Sequence, residues 1–219
     1  MKKAVQKVFI VDDHPMVREG LKSLINQADL RVCGEAENAN DALKGILDTK
    51  PDAVIVDLSL KEGSGLDLIK HIKSRAPDAA VIVVSMHDER HYAERTIRAG
   101  ARGYIMKGES SSKVVGALRD VLDGKLYLSP EMRAMFVERF VGGAPANTAS
   151  PVDALSNREL EVFRLLGQGY ETRRIAEMLE LNIKTVQTFC AKIKEKLQLG
   201  NASELLREAV RWHESNPAG

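Results

Sequence analysis

Between residues 7 and 124, short runs of β-branched and other apolar residues alternate with stretches whose apolar residues recur at helix spacing. The strand-like runs are Val8 to Val11, Arg31 to Ala36, Ala53 to Val56, Ala80 to Val84 and Gly103 to Ile105. Between them lie Val17, Leu21, Leu24 and Ile25, then Ala42, Leu43, Ile46 and Leu47, then Leu66, Leu68, Ile69 and Ile72. Val114, Val115, Leu118, Val121 and Leu122 close the series. Each set falls on one face of a helix. Strands that are apolar throughout must be covered on both sides, and alternating helices do this for a parallel sheet. The pattern predicts an α/β fold of the flavodoxin-like, doubly wound kind.

Such a sheet places its ligands outside the carboxyl ends of the strands, and the residues there are polar. Asp12 and Asp13 end the first run, Asp57 the third and Ser85 the fourth, and Lys107 follows the fifth. Any one of these is an ordinary turn or cap residue. Five at the correct strand ends describe a site. Two adjacent buried carboxylates repel and lose hydration, a cost that a divalent cation offsets, and carboxylate oxygens suit Mg²⁺. A hydroxyl and an ammonium beside them suit a phosphoryl group. Asp57 is then a carboxylate nucleophile able to accept that group. The histidines His14, His71, His87 and His91 lack the spacing of a compact zinc site.

Residues 7 to 124 resemble a response-regulator receiver through Asp12-Asp13, Asp57, Ser85, Tyr104 and Lys107, in order. The resemblance implies that a sensor histidine kinase phosphorylates Asp57. It implies Mg²⁺ on Asp13, Asp57 and the carbonyl of Ser59, with Asp12 acting through water. Ser85 and Lys107 would contact the phosphoryl oxygens, and Tyr104 would turn inward when Ser85 moves. Two residues depart from the usual pattern. Lys61 stands where Pro is common, and the bulky Met86 follows Ser85, where it is expected to restrict water and slow dephosphorylation. An Asp-nucleophile phosphohydrolase needs a second Asp two residues after the first, and Ser59 is there instead. No enzyme beyond self-phosphorylation is expected.

After residue 128 the pattern changes. Ser129-Pro130-Glu131 opens a helix with Met132, Met135, Phe136 and Phe140 on one side, and Gly142 to Pro151 is a run of small residues, Gly and Pro that reads as a linker. Residues 155 to 213 look all-helical. Ser156-Asn157-Arg158-Glu159 is a capping box, Asn201-Ala202-Ser203-Glu204 repeats its logic, and Asn182 is a further cap. Glu171 occupies a position where a capping side chain is common, with Thr172 as the expected substitute. The expected division is a receiver over 1–128, a helix and flexible linker over 129–154, and a helical unit over 155–219.

That helical block resembles the LuxR/FixJ-type helix-turn-helix. The match runs from Leu155 to Val162, through Leu165-Leu166-Gly167-Gln168-Gly169 and Ile175 to Leu179, to Thr185-Val186, Ile193 and Lys196-Leu197. The resemblance implies that residues 172–179 form the scaffold helix and 183–197 the recognition helix in the major groove. The whole chain carries a net charge of only +1, so any attraction for nucleic acid must be local. Residues 183–197 supply it, with Lys184, Lys192, Lys194 and Lys196 against Glu195. The expected DNA-contacting residues are Lys184, Thr185, Gln187, Thr188, Lys192 and Lys196. Gln187 and Phe189 stand where this family usually has a basic residue and a His; Gln187 keeps an amide for base edges, and Phe189 continues the core face of Val186 and Ile193.

Taken together, the sequence predicts a two-component transcriptional regulator. Its expected partners are double-stranded DNA, a sensor histidine kinase, a second copy of itself when active, and RNA polymerase. A cytoplasmic location is expected: Cys33 and Cys190 are lone thiols, Met1-Lys2-Lys3 leads straight into a strand, and no apolar run nears the roughly 20 residues of a membrane helix. The competing reading is a regulator that works without phosphorylation, its acidic pocket a relic.

Overall fold

The computed structural model describes residues 5–60, 62–141 and 151–215. Lys61, and with it the departure in the loop after Asp57, lies outside the described residues, as does the linker over 142–150. The chain forms two compact units, Met1–Ala144 and Pro145–Gly219.

The first unit holds a five-stranded parallel sheet of β1 (Lys7–Val11), β2 (Arg31–Ala36), β3 (Ala53–Val56), β4 (Ala80–Ser85) and β5 (Gly103–Met106), in the order β2-β1-β3-β4-β5. The order reverses beside β1, and β1 and β3 flank that switch point, where a doubly wound sheet opens its crevice. Central strands β1 and β3 are buried nearly end to end, as their unbroken apolar runs require. Helices α1 (Pro15–Asn26), α2 (Ala39–Thr49), α3 (Gly65–Arg75), α4 (Glu89–Ala99) and α5 (Ser111–Leu122) connect and follow the strands. One core cluster joins Val8, Ile10, Ile55 and Ile82 of the sheet to Leu21, Ile25, Leu118 and Val121 of α1 and α5.

Helix α4 has the weakest apolar stripe. Its sequence, ERHYAERTIRA, buries only Tyr92, Ala93 and Thr96, a set without the recurring aliphatics that announce the other four. Helix α6 (Pro130–Val141) packs on α4. Ser129 starts it, accepting from the Met132 N–H at 3.1 Å while its hydroxyl donates to Glu89 at 2.5 Å. Met132 is buried, Met135 and Phe136 half-buried. The side chain of Phe140 lies outside the described residues.

The second unit begins with a 3₁₀ turn over Pro151–Ala154 whose Val152 is buried. The segment 129–154 thus divides: its helix belongs to the first unit and its final turn to the second. Four helices follow, α7 (Asn157–Gly167), α8 (Thr172–Met178), α9 (Ile183–Lys196) and α10 (Ala202–Ser215). The capping box at Ser156 is complete: its hydroxyl accepts from the Glu159 N–H at 3.3 Å, and Glu159 accepts from the Ser156 N–H at 2.7 Å. Asn182 caps α9 through the Thr185 N–H at 2.7 Å. At α10 the Asn201 side chain accepts from the Glu204 N–H, but Glu204 reaches back to the Gly200 N–H at 2.7 Å, one residue further than a capping box would. Thr172 does not take over at α8; it lies inside the helix, and the cap residue Glu171 makes no side-chain cap bond. Helices α7 and α10 pack so closely at Gly167 that a Cβ there would strike the Ala209 carbonyl. Among the described residues, no helix is long and apolar enough to cross a membrane.

Candidate functional site

The sheet brings the strand-end residues together. Asp57 leaves β3 with its N–H on the Val11 carbonyl, and Lys107 leaves β5 with its N–H on the Ser85 carbonyl. Those bonds extend the parallel ladder by one step and aim both side chains at the same crevice. Asp12, Asp57 and Ser85 are almost fully buried, Asp13 nearly so. Lys107 Nζ lies 2.8 Å from Asp12 Oδ2 and 2.7 Å from Asp57 Oδ2. Burial alone would lower the Lys107 pKa, but the charges of Asp57 and Asp12 outweigh it and hold the ammonium above its ordinary value. Asp57 Oδ1 is buried and has no hydrogen-bond partner among the described residues. A buried carboxylate oxygen left bare is costly, and a cation or a phosphoryl group would satisfy it.

Ligand atoms of Asp12, Asp13, His14 and Asp57 all lie within 4.8 Å of one another. This acidic donor set fits a hard divalent cation. His14 was not among the residues expected here. Asp12 Oδ1 accepts the His14 N–H at 2.9 Å, a turn that starts α1, and it brings Nδ1 within 2.7 Å of Asp13 Oδ1. The contact lacks hydrogen-bond alignment, so Asp13 Oδ1 has no hydrogen-bond partner among the described residues. Only the run Asp12-Asp13-His14-Pro15, with Pro at the helix start, signalled it in sequence.

On the far side of the crevice, Tyr104 is already inward. It is 1% exposed, and its hydroxyl donates to the His87 carbonyl at 2.8 Å. Burial, with Tyr92 nearby, raises its pKa well above the usual phenol value, while the Ser85 hydroxyl works weakly against this; the hydroxyl stays a donor. His87 also joins two loops: Nε2 lies 2.7 Å from Ser59 Oγ, the ring stacks on Tyr92, and its N–H reaches Ser85 Oγ at 3.4 Å. Met86 is 72% exposed and lays little of its side chain against the pocket, contrary to the expectation that it shields Asp57. Gly65 closes the loop after β3, where a Cβ would collide with the Asp57 carbonyl oxygen.

In the second unit, α9 buries Val186 and Ile193 and half-buries Phe189 and Cys190. Burial pushes the Cys190 thiol pKa up, which makes it a poor nucleophile. Lys184, Gln187, Thr188 and Lys192 are exposed on the opposite face. Thr185 is half-buried and bonds Asn182 through both its N–H and its hydroxyl. Lys196 is drawn away from that face: its Nζ lies 2.6 Å from Glu159, the capping-box carboxylate of α7. Burial would raise the Glu159 pKa, but Lys196 and the Ser156 N–H more than offset this and lower it.

A family model for the response regulator receiver domain matches residues 8–119, and one for bacterial regulatory proteins of the luxR family matches residues 153–209. The chain is a LuxR-family response regulator. It is 36% identical over 210 residues to the oxygen regulatory protein NreC of Staphylococcus carnosus, covering 94% of this chain and 97% of that one. A LuxR-family two-component response regulator from Aurantimonas sp. SI85-9A1 superposes with a TM-score of 0.59 at 32% identity, covering 63% of this chain and 99% of the other. RcsB of Salmonella enterica serovar Typhimurium, solved on promoter rprA with a phosphomimetic, gives 0.57 at 26% identity over 94% of this chain and 98% of its own. This response regulator regulates transcription within a two-component system. Receiver domains bind Mg²⁺ at an acidic pocket, and this chain has a cluster of carboxylates at Asp12, Asp13 and Asp57.

Proposed function

We propose that Asp57 is the phosphoacceptor and that its phosphorylation by a sensor histidine kinase controls DNA binding by α9. The observation behind this is the state of the Asp57 carboxylate, with Oδ2 on Lys107 and Oδ1 buried and bare. One carboxylate oxygen attacks the phosphorus of a phosphohistidine. The O–P bond forms as the P–N bond breaks, the histidine nitrogen takes up a proton, and Asp57 becomes an acyl phosphate. Lys107 and the Ser85 hydroxyl stabilise the phosphoryl oxygens, and Tyr104 holds the loop at His87 against Ser85. Asp12, Asp13, Asp57 and the Ser59 carbonyl would hold Mg²⁺, which neutralises charge on the transferring group.

The assignment gives residues 1–128 to the receiver, 129–154 to the helix and linker, and 155–219 to the DNA-binding unit. Lys184, Thr185, Gln187, Thr188, Lys192 and Lys196 make up the DNA-facing set, with Lys196 acting at one remove through its hold on Glu159. The active form is a homodimer on paired half-sites in the cytoplasm, where two weak modules gain affinity by acting together, and RNA polymerase is its further partner.

Acetyl phosphate with Mg²⁺ should add one phosphoryl mass to the intact protein, mapped to Asp57, and EDTA should abolish it. Titration calorimetry should show Mg²⁺ binding weakened in Asp13→Asn without any phosphodonor present. A label on another residue would place the acceptor elsewhere, and no label with Mg²⁺ bound would favour the phosphorylation-independent reading.

A further inference from the structure

Which bases α9 can read is constrained by what its exposed side chains have left to offer. Ile183, Gln187 and Ala191 form one exposed row at four-residue spacing, and Lys184, Thr188 and Lys192 form the neighbouring one. Ile183 is 43% exposed, an isoleucine left in water on a helix whose core face is otherwise covered. It lines an open hollow with Asn182, Lys184, Thr185 and Thr188 at the start of α9. The Thr188 hydroxyl donates to the Lys184 carbonyl at 2.9 Å. Bonded to its own helix, Thr188 presents a methyl group rather than a hydroxyl. Thr185 is likewise tied to Asn182. Gln187 is the one exposed amide on α9, and the helix contains no arginine, which leaves Lys184 and Lys192 as the exposed cations of these two rows, able to contact either a phosphate or a guanine.

Resting on the DNA-binding reading above, we infer that this face recognises an A·T core within each half-site. The Gln187 amide pairs with N6 and N7 of adenine. Ile183 and the Thr188 methyl pack on the 5-methyl groups of neighbouring thymines, while Lys184 and Lys192 flank them on phosphates. The apolar tract rejects a guanine or cytosine edge because it would leave that edge's polar groups unpaired.

The test uses the full chain treated with beryllofluoride. Duplexes are first selected from a random pool at fixed salt. Thymines of the selected core are then replaced singly by deoxyuridine, which removes only the methyl, and binding is followed by fluorescence anisotropy. The expected result is an A·T core, with about fourfold weaker binding for each contacted thymine replaced. Thr188→Ser should lose the thymine-over-uracil preference at one position and Ile183→Ala at another. Gln187→Ala should relax selection at the adenine by roughly tenfold. All three side chains are exposed, so Trp212 fluorescence melts of the variants should match the parent. A G·C core, or sequence-specific binding indifferent to uracil, would overturn this inference and leave DNA binding standing. Loss of all sequence-selective binding would overturn both.

Discussion

The acid pocket and the exposed face of α9 do their work under opposite physical conditions. In the pocket the charged groups are buried and held in place before any reactant arrives: Lys107 bridges Asp12 and Asp57, while Asp57 Oδ1 and Asp13 Oδ1 have no hydrogen-bond partner among the described residues. On α9 the lysines at 184 and 192 are exposed, and their partners arrive with the DNA. Chemistry on a single carboxylate needs groups fixed before the reactant comes. Attraction to a polyanion needs only exposed charge, and releases counterions. Substitutions in the pocket should therefore alter reaction and folding together, and those of Lys184 and Lys192 on α9 should alter binding alone.

The largest effect belongs to Asp57→Asn, which should remove the acetyl-phosphate label entirely, read by intact mass. Retention of that label would place the acceptor elsewhere. Next is Lys107→Ala. It leaves Asp12 and Asp57 unbalanced and should destabilise the first unit by about 3 kcal/mol, partly restored by Mg²⁺, as read by hydrogen exchange of the β1 and β3 amides. Exchange unchanged from the parent would mean that the ammonium is not holding the acids together.

Glu159 sharpens the comparison, because it is a buried, paired carboxylate inside the DNA-binding unit. Glu159→Ala should cost about 2 kcal/mol, followed through Trp212, which packs near Phe163. Its pKa in the folded state is lower than the ordinary 4.5. Below about that value the unfolded chain takes up the proton more readily. The stability Glu159 contributes is therefore complete above about pH 4.5 and is lost as pH falls toward the folded value. Glu159→Gln should lack this acid-dependent loss. The smallest effect on stability is that of Lys184→Ala, within about 0.5 kcal/mol. It should nonetheless lower the slope of log affinity against log salt by about 0.9. Lys196→Met should do the reverse, weakening the fold while leaving the slope nearly unchanged.

Those contrasts also explain what could be read in advance. The strands and the pocket were legible because β-branched runs end abruptly in Asp12, Asp57 and Ser85, and topology alone then brings them together. Helix α4 was not, because a helix that buries Tyr92, Ala93 and Thr96 has no aliphatic period. The contact of His14 with Asp13 depends on the turn made by Asp12, and the His87–Ser59 contact joins loops 28 residues apart. On α9 the charge was visible, but the pairing of Lys196 with Glu159, across 37 residues, was not. Nor could sequence show that Thr188 bonds its own helix. Where function depends on order along strands, sequence suffices; where it depends on which side chain is already engaged, coordinates are needed.

The most direct test of the account is a fluorescence-anisotropy titration of a selected DNA site with full-length protein, with and without beryllofluoride, for the parent and Asp57→Asn. The account predicts that beryllofluoride tightens binding at least tenfold in the parent and leaves Asp57→Asn unchanged. Equal affinity in all four titrations would contradict it and show that the pocket does not govern the recognition helix.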